Sequence, residues 1–67
     1  MELINTVGTH RKAKGMTQAF LAAEVGVSRK TINTIENAVF VPSTTLALKL
    51  GRALDVSVET LFELRTD

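Results

Sequence analysis

Cysteine is absent from these 67 residues, and proline and histidine occur once each. Without thiols, neither disulfides nor thiolate metal sites can supply the stability that a domain this small often borrows. Packed helices must supply it, with or without a dimer partner. His10, the single histidine, cannot build a recognisable zinc site alone, and no cofactor or small-molecule ligand is implied. No apolar run approaches the roughly 18 residues of a membrane span, and the first residues lack the charged-then-apolar order of a secretory signal. A cytoplasmic location is therefore expected. A glycine-rich phosphate loop and carboxylates paired at a catalytic spacing are missing too, so the sequence offers no nucleophile–base pair and does not read as an enzyme.

What remains is a chain 45% hydrophobic and 22% charged, too apolar to be disordered as a whole and long enough for one small core. A single domain spanning residues 1–67 is expected. The net charge of +1 hides an asymmetry. Over residues 1–34, Arg11, Lys12, Lys14, Arg29 and Lys30 face only Glu2 and Glu24. Over residues 35–67 the acids Glu36, Asp55, Glu59, Glu63 and Asp67 outnumber Lys49, Arg52 and Arg65. A basic end suits a polyanionic partner, although an ordinary solvated surface has the same composition.

Local signals divide the chain into five short helices. Leu3, Ile4 and Val7 begin an amphipathic segment that Gly15 closes. Thr17 caps a helix over residues 18–25, ended by Gly26, and Ser28 caps another over residues 29–36. Ser43 caps a fourth, with Leu46, Ala47, Leu50, Ala53 and Leu54 at helical spacing, and Ser57 caps a last one carrying Val58, Leu61 and Phe62. Period-two alternation is nowhere sustained, so the expected fold class is all-α. Phe20 and Leu48 lie off the inward stripes of their helices and are expected to pack on the rim of the core.

Only Gly26, Val27 and Ser28 separate the second helix from the third, so their axes must cross steeply, and Ala22 is small enough to allow a close approach. This is a helix-turn-helix. With the third helix unrolled at about 100° per residue from Ile32, Arg29, Lys30, Asn33, Thr34 and Asn37 fall between roughly 60° and 200°, while Ile35 faces inward. That flank carries forked and point-charge donors, amides and a hydroxyl, the side-chain types that read base edges in a major groove, and no carboxylate for phosphate to repel.

The segments MTQAFLAAEVGVSRKTINTIEN (residues 16–37) and PSTTLALKLGRALDVSVETLFE (residues 42–63) resemble the Cro and phage-repressor type of helix-turn-helix protein, the XRE family. The most specific parts are Thr17-Gln18, the Ala22 to Gly26 spacing, Ile35-Glu36-Asn37 and Pro42-Ser43. The resemblance implies a compact lambda-repressor-like domain in which Arg29, Lys30, Asn33 and Thr34 face bases. Thr17, Gln18, Ser28, Asn37, Lys12 and Arg11 would then lie near phosphates. It also implies an ion pair between Arg11 and Glu36 and a homodimer, for which Leu61, Phe62 and Leu64 are the candidate contacts. The function implied is a repressor that binds double-stranded DNA at a palindromic operator.

Some positions depart from that pattern. His10 stands where a core leucine is usual, Ala38-Val39 replaces a glycine and a basic residue, and Asp55 replaces a glycine at a helix end. Gly8 weakens the first helix by about 1 kcal/mol relative to alanine. The rival reading is an antitoxin or a small helical protein-interaction module; an antitoxin would often bind DNA as well, whereas a pure protein adaptor would show no duplex binding and little dependence on salt.

Overall fold

In the computed structural model, which describes residues 2–66, the chain opens as a strand, β1 (Glu2–Asn5). Five helices follow: α1 (Val7–Ala13), α2 (Gln18–Val25), α3 (Arg29–Glu36), α4 (Thr44–Leu54) and α5 (Val58–Leu61). The chain closes with β2 (Phe62–Arg65), which pairs antiparallel with β1: Glu2 opposite Arg65, Leu3 opposite Leu64, Ile4 opposite Glu63, and Asn5 opposite Phe62. The all-α expectation is thus corrected at both ends. Leu3 and Ile4 belong to a strand rather than to the first helix, and Phe62 leaves the last helix for the sheet. Strands of 4 residues are too short to show alternation, and each is fixed by a partner at the opposite end of the chain.

The helix starts follow local chemistry. Thr17, Ser28, Ser43 and Ser57 each sit in extended backbone and accept a hydrogen bond from the amide three residues on, at 3.0 to 3.2 Å. Each cap satisfies an orphan N–H and is worth about 1 kcal/mol. At the other ends, Gly26 at φ 78° and Asp55 at φ 57° take the left-handed conformation that stops α2 and α4. Asp tolerates that geometry better than most residues, which is how Asp55 serves in place of glycine.

Every helix gives something to one core. Val7 of α1, Leu21 of α2, Ile32 and Ile35 of α3, Leu50 and Leu54 of α4, and Leu61 of α5 are essentially free of solvent contact. Burial of each such side chain contributes about 1.5–3 kcal/mol. Phe20 and Leu48, expected on the core rim, are instead about half exposed. His10 is half-buried, and its Nδ1 lies 3.0 Å from the Thr6 carbonyl; a carbonyl can only accept, so Nδ1 carries the proton of that bond.

Gly51 shows a constraint that its helical setting conceals. A Cβ there would stand 2.8 Å from the Val56 carbonyl, because the turn leading into α5 folds back across α4. Helix propensity favours alanine at this position, yet Gly51→Ala is expected to destabilise the domain by about 1–3 kcal/mol, since backbone must move to admit the methyl. Urea denaturation comparing the two proteins checks this, and equal midpoints would contradict it.

Candidate nucleic-acid interface

The turn between α2 and α3 sets the site. The amides of Gly26 and Val27 both donate to the Ala22 carbonyl, the latter at 3.0 Å, which ends α2 sharply, and Ser28 starts α3 at once. Ile32 and Ile35 seat α3 in the core, and Val27 packs against the same cluster. Fixing those two isoleucines inward leaves the opposite flank no choice. Arg29, Lys30, Asn33 and Asn37 are exposed and Thr34 is half-buried at the edge.

These side chains are partly ordered before any ligand arrives. Asn37 Nδ2 donates to the Asn33 carbonyl at 2.9 Å and to Asn33 Oδ1 at 2.7 Å. The Asn33 carboxamide is held in one orientation, with its own N–H groups still free to donate. Thr34 Oγ1 donates to the Thr31 carbonyl at 2.9 Å, so its remaining capacity toward a ligand is as an acceptor. The Thr34 carbonyl in turn accepts from the amides of Val39 and Phe40 at 2.9 and 3.2 Å, folding the following loop back against α3.

That loop holds residues that sequence reasoning passed over. Val39, Phe40 and Val41 are 78%, 47% and 65% exposed, and Val39 and Phe40 share a shallow recess with Lys30, Thr31 and Thr34. Apolar side chains in a short loop read as core material. Here the turn at Ala38, with φ 60°, directs them outward beside the polar flank. The signal available was Ala38-Val39 standing where a glycine and a basic residue are usual.

Beneath the flank lies an ion pair. Arg11 Nε donates to Glu36 Oε2 at 2.6 Å and a second guanidinium nitrogen to Glu36 Oε1 at 3.1 Å, while the third reaches the Met16 carbonyl at 2.8 Å. Gln18 Nε2 donates to the same Glu36 Oε1 at 3.0 Å. The two charged side chains are about a tenth exposed. Burial pushes the Glu36 carboxyl up, but the hydrogen bonds from Arg11 and Gln18 and the charges of Arg11 and Lys12 together hold it below the usual carboxylate range. The hydrogen bond to Glu36 raises the guanidinium above its ordinary value in spite of burial. Gly8 completes the arrangement: a Cβ there would lie 3.1 Å from Glu36 Oε1, so the glycine that weakens α1 also leaves room for the carboxylate.

The other sequence-derived site residues divide into exposed and committed. Lys12 and Thr17 are exposed, and Thr17 and Ser28 both spend an oxygen lone pair on capping. Arg11 is corrected as a phosphate contact, because its guanidinium is buried and each of its nitrogens already has a partner. Gln18 turns its amide toward Glu36 rather than freely to solvent. Of the three candidate dimer residues, Leu61 is corrected to the core at 0% exposure; Phe62 is half-buried and Leu64 is 61% exposed. The cause is the chain's exit into β2, which leaves α5 lying on the core.

Residues 9–61 match the helix-turn-helix family. The chain belongs to the XRE type of that family. The family is one of DNA-binding transcriptional regulators. An uncharacterized HTH-type transcriptional regulator of Methanothermobacter thermautotrophicus is 44% identical over 59 residues, which cover 87% of this chain and 86% of the relative. SinR of Bacillus subtilis, solved in complex with DNA as the master regulator for biofilm formation, is similar at a TM-score of 0.75 and 34% identity, over 81% of this chain and 87% of that one. A chain of the SinR–SinI protein complex gives the same TM-score of 0.75 and 34% identity, but this XRE-type chain spans only 53% of its length. No helix among the described residues is long and apolar enough to cross a membrane.

Proposed function

We propose that this XRE-type domain is a sequence-specific regulator acting as a cytoplasmic repressor, a homodimer on a palindromic operator whose half-sites lie about one helical turn apart. The observation that carries the reading is the exposed flank of α3. Its side chains are donors and amides held outward by a buried Ile32–Ile35 seat, and the one acid of α3, Glu36, is turned inward onto Arg11. The flank itself carries no carboxylate for phosphate to repel. SinR, whose solved complex contains DNA, supports duplex DNA as the partner.

Within this reading Arg29 and Lys30 address base acceptors. Asn33, pre-oriented by Asn37, suits an adenine edge, and Thr34 accepts from a base amine. Val39 and Phe40 line a recess of the right character for a thymine methyl. Lys12, Thr17, Ser28, Asn37 and the α2 start, where Gln18 contributes its backbone amide, lie along the sugar-phosphate strand.

Selection of bound duplexes from a random pool tests the proposal, with an enriched two-fold motif as the expected result. On that site Arg29→Ala should cost about 1–3 kcal/mol and relax preference at one base position. Lys12→Ala should weaken binding to all sequences alike and flatten the salt dependence. Equal losses on specific and random duplex for both variants would overturn the division of roles.

A further inference from the structure

Beside the polar flank of α3 stands a recess with largely apolar walls and one cation among them, formed by Lys30, Thr31, Thr34, Val39 and Phe40. Both of its hydroxyls are engaged within the protein. Thr34 Oγ1 donates to the Thr31 carbonyl at 2.9 Å, and Thr31 Oγ1 lies 3.0 Å from Ser28 Oγ in a hydroxyl–hydroxyl hydrogen bond. Lys30 is exposed and enters no ion pair among the described residues, so its ammonium is the charged donor left for a ligand. The apolar wall is fixed before anything binds. The Ala38 amide donates to the Ile35 carbonyl at 3.0 Å, and the amides of Val39 and Phe40 both donate to the Thr34 carbonyl, which pins the start of the loop to the last turn of α3. Val39 and Phe40 stand outside the core, and a wall already in place lowers the ordering cost of a contact made against it.

We propose that Lys30, Val39 and Phe40 act together as the reader of a single thymine, with the ammonium on its O4 and the 5-methyl group of the same base in the recess. The inference rests on the duplex-DNA reading above and goes further by joining the two contacts at one base, so that affinity follows the C5 substituent of a pyrimidine independently of its hydrogen bonding. The major-groove edges of the bases decide it. Lysine alone favours guanine, whose O6 and N7 both accept, but guanine has no apolar group to fill the recess. Adenine sets an amine beside its one acceptor. Cytosine offers an amine donor, which an ammonium cannot use, and no methyl group. Thymine alone places an acceptor next to a methyl, the two features that the lysine and the recess match. Methylation of cytosine at C5 supplies half of that match, so the same three residues make binding sensitive to 5-methylcytosine at this position.

The full chain and the duplex it selects from a random pool supply the test. In one half-site each thymine is replaced in turn by uracil, which removes only the methyl group, or, with guanine opposite, by cytosine or 5-methylcytosine. At one thymine, uracil should raise Kd about fourfold, the worth of one buried methyl group, and 5-methylcytosine should bind better than cytosine by a similar factor. Val39→Ser combined with Phe40→Ser should abolish both methyl effects, with circular dichroism unchanged because neither side chain belongs to the core. Lys30→Met should keep the methyl effects while shrinking the preference for thymine over 5-methylcytosine. A selected duplex in which uracil costs nothing at any position, or a uracil penalty that survives in the double serine variant, would overturn the recess assignment and leave the DNA reading standing. A thymine preference untouched by Lys30→Met would overturn the joint reader in the same way. A chain that enriches no duplex would sink the DNA reading, and this proposal with it.

Discussion

Glu36→Ala is expected to lower the unfolding free energy by about 3–5 kcal/mol, because it strands a guanidinium whose desolvation the carboxylate offsets. The Arg11 side chain is about a tenth exposed and its two bonds to Glu36 form a fork, the geometry in which such a pair is strongest. A domain of this size has a total stability on the order of 5 kcal/mol, so the variant should be substantially unfolded near room temperature. Urea denaturation followed by circular dichroism reads the loss directly. A change below about 1 kcal/mol would mean that the pair behaves as a solvated surface contact. Replacing both partners by methionine removes the stranded charge, and that double variant should recover most of the deficit.

The same pair gives a pH dependence whose sign follows from the carboxylate. Glu36 has its folded-state value below the ordinary 4.5, so the unfolded chain takes up the proton first on acidification. The contribution is complete above the ordinary carboxylate value and is lost as pH falls through the folded-state value. Glu36→Gln cannot titrate there, so its stability should fall less steeply over that acidic window than that of the wild type. Parallel acid profiles would contradict the assignment.

Ile32→Ala is expected to cost about 2–5 kcal/mol, the lost transfer energy together with the cavity left at a fully buried site. Its meaning is mechanical, since Ile32 and Ile35 are what set the rotation of α3. DNA affinity of the variant should drop at a temperature where it is partly unfolded and return towards wild type where the fold is restored by cooling or osmolyte. Arg29→Ala, at an exposed position, should behave oppositely, with stability within about 0.5 kcal/mol of wild type and affinity lowered at every temperature. If Ile32→Ala left the denaturation midpoint in place, α3 would not be seated by that side chain.

The helical part of this protein was readable from local chemistry. Thr17, Ser28, Ser43 and Ser57 cap where the sequence places caps, Gly26 and Asp55 terminate helices, and the helical period that turns Ile32 and Ile35 inward puts Arg29, Lys30 and Asn33 on the outward flank of α3. These signals act within one or two turns of chain, so a linear reading captures them. Residues whose setting depends on distant partners were read less well. Arg11 looked available to phosphate as well as to Glu36, and only the packing of α1 beneath α3 showed every guanidinium nitrogen occupied. Gly8 read as a propensity defect until Glu36 was seen beside it.

The sequence by itself determined where α2, α3 and α4 begin and end, the short turn between α2 and α3, and which side chains line the outward flank of α3, because each follows from caps, glycines and a 3.6-residue period. Tertiary structure alone decided that the two ends of the chain form a sheet, that Leu61 is core while Leu64 is surface, and that Val39 and Phe40 stand beside the polar flank. Strand pairing and burial depend on contacts between residues far apart in the chain, and no local pattern encodes which of two exposable leucines another element will cover.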